Sequence, residues 1–228
     1  MDSVIPVPAM PTLPVHGTAA SFPVRRIYCV GRNYADHARE MGMDPTREPP
    51  FFFGKPQDVV VPGGGEVAYP PATSNLHHEV ELVVALAKGG RDIAVSEALD
   101  CVYGYAVGID LTRRDLQTKA KDKGQPWDTA KGFDQSAPIS PITPVSVCGH
   151  LNKGAIWLSV NGIEKQRGSL SQMTWSVPEV IAQVSGFVAL APGDLIFTGT
   201  PAGVGPLVLG DRVRCGIDGL GELEIRLV

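Results

Sequence analysis

The amino-acid sequence predicts one domain of mixed (α+β) class in which strands dominate and the helices are short. Three features carry that expectation. Glycine and proline, 26 and 20 of the 228 residues, are frequent enough to demand many turns yet too few for a low-complexity chain. Short runs of β-branched and aromatic residues recur between turn formers, the pattern of strands rather than of long helices. Asn161-Gly162 stands between two such runs, and this dipeptide favours the type I′ turn of a hairpin, where both central residues need positive φ. A hydrophobic share of 43% suffices for one well-buried core at this length, and no linker-like shift in composition divides the chain. The expected layout is an extended N-terminal surface arm over residues 1–24 and a single domain over 25–228.

The formal net charge of -4, without a basic block, offers no footprint for nucleic acid or for an anionic membrane surface. No apolar run reaches the length that spans a bilayer. Cys29, Cys101, Cys148 and Cys215 stand far apart, with neither a C-x-x-C pair nor a histidine at zinc-ligand spacing. That usage suits reduced core thiols in a cytoplasmic protein. Prolines at 6, 8, 11, 14 and 23 interrupt the start of the chain, which lacks the basic start and continuous apolar segment of a secretory signal.

After the arm, Arg26-Ile27-Tyr28-Cys29-Val30 reads as a strand leading into Gly31-Arg32-Asn33. Asn33 suits the N-cap of a helix from Tyr34 to Met41 that Gly42 would stop. His37 and Glu40, three apart on that helix, share a face. The carboxylate can then hold the imidazole and raise its basicity, as a general base with its orienter; a surface ion pair fits the spacing equally. Phe51-Phe52-Phe53-Gly54-Lys55 is a strand ending in a lysine that can reach an anion or stay in solvent. Arg91 to Ala98 suggests a turn and a short helix. Tyr103 to Leu111 is an apolar strand with Asp110 at its end, either a metal ligand or a cap for a helix over Thr112 to Lys121. Lys131 sits beside Gly132 in a loop with aromatic neighbours.

Further on, Ala155 to Val160 and Ile163 to Arg167 flank the Asn-Gly turn. Ser176-Val177-Pro178-Glu179 is a capping box with proline in the first turn, opening an amphipathic helix that ends near Ser185-Gly186. Leu195 to Thr198 is a strand. The glycine-rich loop from Gly199 to Pro206 lacks the Gly-Lys-Ser/Thr ending of a P-loop, and closing strands run to Val228.

The stretch with most chemistry is Asn75-Leu76-His77-His78-Glu79-Val80-Glu81-Leu82-Val83-Val84. As a strand it places His77, Glu79 and Glu81 on one face, so two carboxylates point the same way about 7 Å apart. Turned inward they need a cation, because like charges leaving water are costly, and oxygen donors suit Mg²⁺, Mn²⁺ or Ca²⁺ better than zinc. Turned outward they are ordinary solvated glutamates. Asp110 would supply a third carboxylate.

Six blocks occur in order: Gly31-Arg32-Asn33-Tyr34-Ala35-Asp36-His37, Phe53-Gly54-Lys55-Pro56, His77-His78-Glu79-Val80-Glu81-Leu82, Gly108-Ile109-Asp110-Leu111-Thr112-Arg113-Arg114-Asp115, Ala130-Lys131-Gly132-Phe133-Asp134 and Thr198-Gly199-Thr200-Pro201-Ala202-Gly203-Val204-Gly205. Together they resemble the fumarylacetoacetate hydrolase family, most closely its single-domain acylpyruvate and fumarylpyruvate hydrolase branch, from about Ile27 to Val228. The resemblance implies a β-sandwich roll with short peripheral helices, usually dimeric. It implies a divalent metal, Mg²⁺ or Mn²⁺, on Glu79, Glu81 and Asp110, with His37 and Glu40 as the water-activating pair and Lys131 as the active-site lysine. Arg32, Tyr34, Lys55, Gln117 and Thr200 fall on positions that line the substrate pocket in relatives.

The activity so implied is metal-dependent hydrolysis of the C–C bond of a 2,4-diketo acid, foremost fumarylpyruvate to fumarate and pyruvate in gentisate-type aromatic catabolism. An oxaloacetate decarboxylase or keto–enol isomerase would use the same chelating site without water attack at C4. A non-catalytic metal-stabilised binding domain would be marked by loss of His37 or Lys131, and both are present.

Overall fold

The computed structural model describes residues 3–40 and 48–228, with side chains described over 3–37 and 48–228. In spatial order the main sheet runs Phe51–Lys55, Ile27–Gly31, Leu195–Phe197, Val80–Leu86, Val102–Ile109, Ala137–Ile139 and Val60–Pro62, and Thr143–Pro144 also pairs with Val102–Ile109. A second sheet of five strands is ordered Ile163–Ser169, Ala155–Val160, Arg212–Ile217, Gly221–Leu227 and Gly65–Val67. Leu82, Val84, Val107 and Ile109 of the first sheet pack in one cluster with Ile156, Leu158, Val213 and Leu223 of the second. The fold is therefore a β-sandwich with a few short helices around it, the α+β class the sequence predicts.

The opposite face of the main sheet is also covered. Val83, Ala85, Ala106 and Phe197 pack with Leu13, Phe22 and Val24, which come from the stretch expected to be a surface arm. Thr12–Pro14 and Ser21–Pro23 pair antiparallel there, each with its central residue buried and its proline exposed, a position where the missing N–H costs no ladder bond. Cover on both faces explains why Val80–Leu86 is buried at every residue instead of alternating. It also explains Gly108, where an added Cβ would lie 2.5 Å from Val83 Cγ2 and 2.7 Å from Phe197 Cε1.

Local signals account for the connections. Asn161 and Gly162 have φ of 51° and 79°, as a type I′ turn requires, and Val160 pairs with Ile163 across them. The Ser176 capping box forms and opens the helix Val177–Phe187. Three expectations are corrected. Asn33 is not an N-cap: its Nδ2 donates to Trp175 O and Thr198 O, both at 2.8 Å, and its Oδ1 accepts from Trp175 N at 2.7 Å. The helix expected from Thr112 starts later, as Arg114–Asp122, because Thr112 and Arg113 pair with His77 and Leu76; Asp110 is thus too far upstream to cap it. In place of a short helix ending at Ala98, a 3-10 turn spans Ala98–Cys101. The first helix is described as Ala35–Glu40, and its expected end at Met41 and Gly42 lies outside the described residues. Among the described residues, no helix is long and apolar enough to cross a membrane.

Candidate metal centre and active-site cavity

Glu79 sits between the strands Leu76–His78 and Val80–Leu86, Glu81 lies one pleat further on, and Asp110 follows the end of Val102–Ile109. Pairing of Val80 with Ile109 and of Glu81 with Gly108, extended by a 2.8 Å hydrogen bond from Asp110 N to Glu79 O, gathers the three side chains at one end of the strand pair. One carboxylate oxygen from each lies within 4.8 Å of the others, and all three residues are buried. The glutamates therefore face inward.

The three carboxylates repel one another. Burial, then Asp110 and Glu79, push the Glu81 carboxyl well above the usual carboxylate range, although Gly199 N donates to its Oε2 at 2.6 Å. Burial alone would raise Glu79 too, but Lys131 and then Arg114 outweigh it and hold Glu79 well below that range. Asp110 Oδ1 accepts no hydrogen bond among the described residues. A buried all-oxygen donor set with one bare oxygen and one carboxylate lifted toward protonation fits a hard divalent cation such as Mg²⁺ or Mn²⁺.

Three cations back the cluster. Lys131 Nζ donates to Asp110 Oδ2 at 2.6 Å, Thr112 Oγ1 at 2.7 Å and Glu79 Oε2 at 2.8 Å, which spends all three ammonium protons. Burial disfavours its charge, but Asp110 and Glu79 more than compensate and raise its pKa. Lys55 Nζ lies 2.8 Å from Asp110 Oδ1, yet its protons go to the carbonyls of Leu111, Lys131 and Ser136. Asp110 Oδ1 thus feels the charge of Lys55 without receiving a proton from it. Arg114 donates through Nη2 to Glu79 Oε1, through Nη1 to Gln117 Oε1, and through Nε to His77 Nδ1 at 3.4 Å.

A cavity of about 310 Å³ opens above this floor. Glu79, Glu81, Asp110 and Lys131 line it together with His37, Arg32, Arg114, Gln117, Thr200 and the rings of Phe51, Phe53 and Trp127. Arg32, at φ 64°, lays its guanidinium 5.0 Å from the centre of the Phe51 ring, and Trp127 meets that ring edge-on at 5.3 Å.

Eight residues expected from the sequence thus share one cavity. Lys55 and Tyr34 do not line it. Lys55 stands behind Asp110, and Tyr34 is 2% exposed, its hydroxyl without a hydrogen-bond partner among the described residues and held in its protonated form by burial and then by Glu81. The side chain of Glu40 lies outside the described residues. Sequence reasoning assigned no role to Arg114, Thr112 or Gln166. Arg114 carried a legible signal, since it precedes Gln117 by three on one helix face; the other two are brought in only by pairing between distant strands.

Residues 26–228 match the family model described as fumarylacetoacetate (FAA) hydrolase C-terminal. The chain is 44% identical over 183 residues to the fumarylpyruvate hydrolase of Ralstonia sp, covering 80% of this chain and 95% of that one. It is also 44% identical over 196 residues to the mitochondrial oxaloacetate decarboxylase of Dictyostelium discoideum, covering 86% and 90%. The crystal structure of fumarylpyruvate hydrolase from Pseudomonas aeruginosa in complex with Mn²⁺ and pyruvate superposes with a TM-score of 0.97 at 52% identity, covering 100% and 99%. On the matched model, the sandwich and the carboxylate-floored cavity alike, this chain belongs to the fumarylacetoacetate hydrolase family.

Proposed function

We propose that the protein hydrolyses the C–C bond of a 2,4-diketo acid, with fumarylpyruvate as substrate and fumarate and pyruvate as products. The observation that carries this reading is the meeting of Glu79, Glu81 and Asp110 on the floor of the cavity that His37 and Lys131 also line. Similarity to two proteins named fumarylpyruvate hydrolase, one solved with Mn²⁺ and pyruvate, supports it.

In this reading Glu79, Glu81 and Asp110 hold Mg²⁺ or Mn²⁺, which when bound supplies Lewis-acid polarisation of the diketo acid. His37, oriented by Glu40, removes a proton from water, and the water oxygen attacks C4. The C3–C4 bond breaks with its electron pair passing to C3, which takes up a proton to complete pyruvate, while C4 becomes the carboxyl carbon of fumarate. Lys131 supplies fixed positive charge beside the developing anion. Arg32, Gln117 and Thr200 bind substrate from the cavity wall. Lys55 and Tyr34 support the site indirectly, Lys55 through Asp110 and Tyr34 beside Glu81. A homodimer, a cytoplasmic location and a place in gentisate-type aromatic catabolism complete the reading, on family resemblance.

A second reading, oxaloacetate decarboxylation or keto–enol isomerisation in the same cavity, is favoured by the identity to the Dictyostelium decarboxylase. The deciding experiment is turnover of a panel of acylpyruvates and oxaloacetate after chelation and readdition of Mg²⁺ or Mn²⁺. Metal-dependent release of fumarate and pyruvate from fumarylpyruvate, faster than any reaction of oxaloacetate, is expected; the reverse order would establish the second reading.

A further inference from the structure

Gln166 is out of character for its strand. Ile163–Ser169 has one buried residue, and it is this amide, with 0% exposure. A buried amide is costly unless its hydrogen bonds are made, and here they are. Oε1 is 3.1 Å from Val80 N and 2.9 Å from His78 Nδ1, while Nε2 is 2.8 Å from both Thr200 Oγ1 and Pro201 O.

Two of these partners have only one possible role, which fixes the direction of the others. Val80 N–H can only donate, so the amide atom facing it is the oxygen; Pro201 C=O can only accept, so the atom facing it is the nitrogen. His78 Nδ1 must therefore carry a proton to bond the same oxygen. Thr200 Oγ1 must accept from Nε2, which leaves the hydroxyl proton pointing elsewhere. Thr200 Oγ1 makes no other hydrogen bond among the described residues, and Thr200 lines the cavity together with the three carboxylate residues.

We propose that Gln166 is a positioning residue: by donating to Thr200 Oγ1 it keeps the hydroxyl proton free for donation into the cavity. The group such a proton binds is an acceptor, the carboxylate of a 2-keto acid. The inference rests on the keto-acid reading of the cavity and adds to it a residue that never touches substrate.

The test measures pyruvate binding by calorimetry in the presence of Mn²⁺, with Thr200→Val, Thr200→Ser, Gln166→Glu and the double variant Gln166→Glu/Thr200→Val. Thr200→Val should weaken binding about 10- to 100-fold, the effect of one hydrogen bond to a charged group, and Thr200→Ser should retain it. In Gln166→Glu, measured at a pH high enough to ionise the introduced carboxyl, the carboxylate keeps the acceptor for Val80 and His78 but turns the Thr200 proton inward. It should match Thr200→Val, and the double variant should be no weaker than either. Additive losses, or unchanged binding in Gln166→Glu, would overturn the proposal.

A second measurement needs no variant at Gln166: ¹⁵N NMR of the wild-type protein should find His78 protonated at Nδ1, and protonation at Nε2 alone would overturn the assigned direction. Should Gln166→Glu fail to fold, that spectrum and the Thr200 pair decide. Wild-type protein that binds no pyruvate overturns the keto-acid reading together with this inference, whereas wild-type binding that Gln166→Glu leaves intact overturns this inference alone.

Discussion

Lys55 and Asp110 form an ion pair closed to solvent from both sides: Nζ is 2.8 Å from Oδ1, and both side chains are 0% exposed. Replacing one member of such a pair leaves the other charge buried and uncompensated, which typically costs about 3–5 kcal/mol. Lys131 also bonds Asp110 and offsets part of that, so Lys55→Met is expected to lose about 3 kcal/mol in urea denaturation. Added Mn²⁺ should recover part of the loss, since a cation on Asp110 replaces the missing charge.

Metal and stability should be coupled through Glu81. Mutual repulsion with Asp110 and Glu79 strains the cluster in the metal-free protein, so the melting temperature should climb with Mn²⁺ concentration if the ion binds the folded state alone. Glu81→Gln relieves the repulsion and removes a donor. Its metal-free form should melt no lower than wild type, with a much smaller rise on adding Mn²⁺ and little turnover. Full activity of this variant at low metal concentration would refute a ligand role.

His37→Ala separates hydrolysis from decarboxylation in one protein. Loss of a general base typically lowers the rate by about 10²–10⁴-fold, and this is expected for fumarylpyruvate. Any reaction of oxaloacetate should fall far less, because the three carboxylates and Lys131 stay in place. Equal loss of both activities at unchanged metal affinity would make His37 an organiser of the site and not its base.

Asp115 provides a pH test away from the cavity floor. Burial tends to raise its pKa, but hydrogen bonds from Thr73 Oγ1 at 2.6 Å, Leu116 N at 2.9 Å and Ser74 N at 3.1 Å hold it below the ordinary value of 3.8. A depressed folded-state pKa stabilises the fold above the unfolded value, and that contribution is lost as pH falls through the folded one. Asp115→Asn should thus cost about 1 kcal/mol near neutral pH, and the gap in urea midpoint should narrow steadily below about pH 4. A gap independent of pH would show that the carboxylate's charge contributes nothing.

Local chemistry was legible in the sequence. Asn161-Gly162 turns the chain by itself because the two residues tolerate positive φ, and the Ser176 box caps its helix with groups three residues apart. Period 2 along a strand expected through Asn75 to Val84 put Glu79 and Glu81 on a common face, and the two carboxylates do meet although the chain leaves strand geometry at Glu79; the ordered motifs added Asp110 and Lys131. Which way that face turned could not be read from the strand, since His77, Glu79 and Glu81 have the polarity of a solvated edge. Burial of both faces of the main sheet decided it, and that depends on a second sheet from the last third of the chain and a hairpin from the first.

The same limit explains the rest. Lys55 reads as a reaching lysine, but carbonyls of three residues remote in sequence take its protons. Asn33 has the composition of a cap, yet Trp175 and Thr198 occupy its amide. Sequence by itself determined which residues could turn, cap or carry charge, because those properties belong to a few neighbouring atoms. The tertiary structure alone decided which polar groups meet. A buried donor or acceptor must find a partner wherever the fold supplies one, and for Gln166 those partners lie 34 and 86 or more residues away.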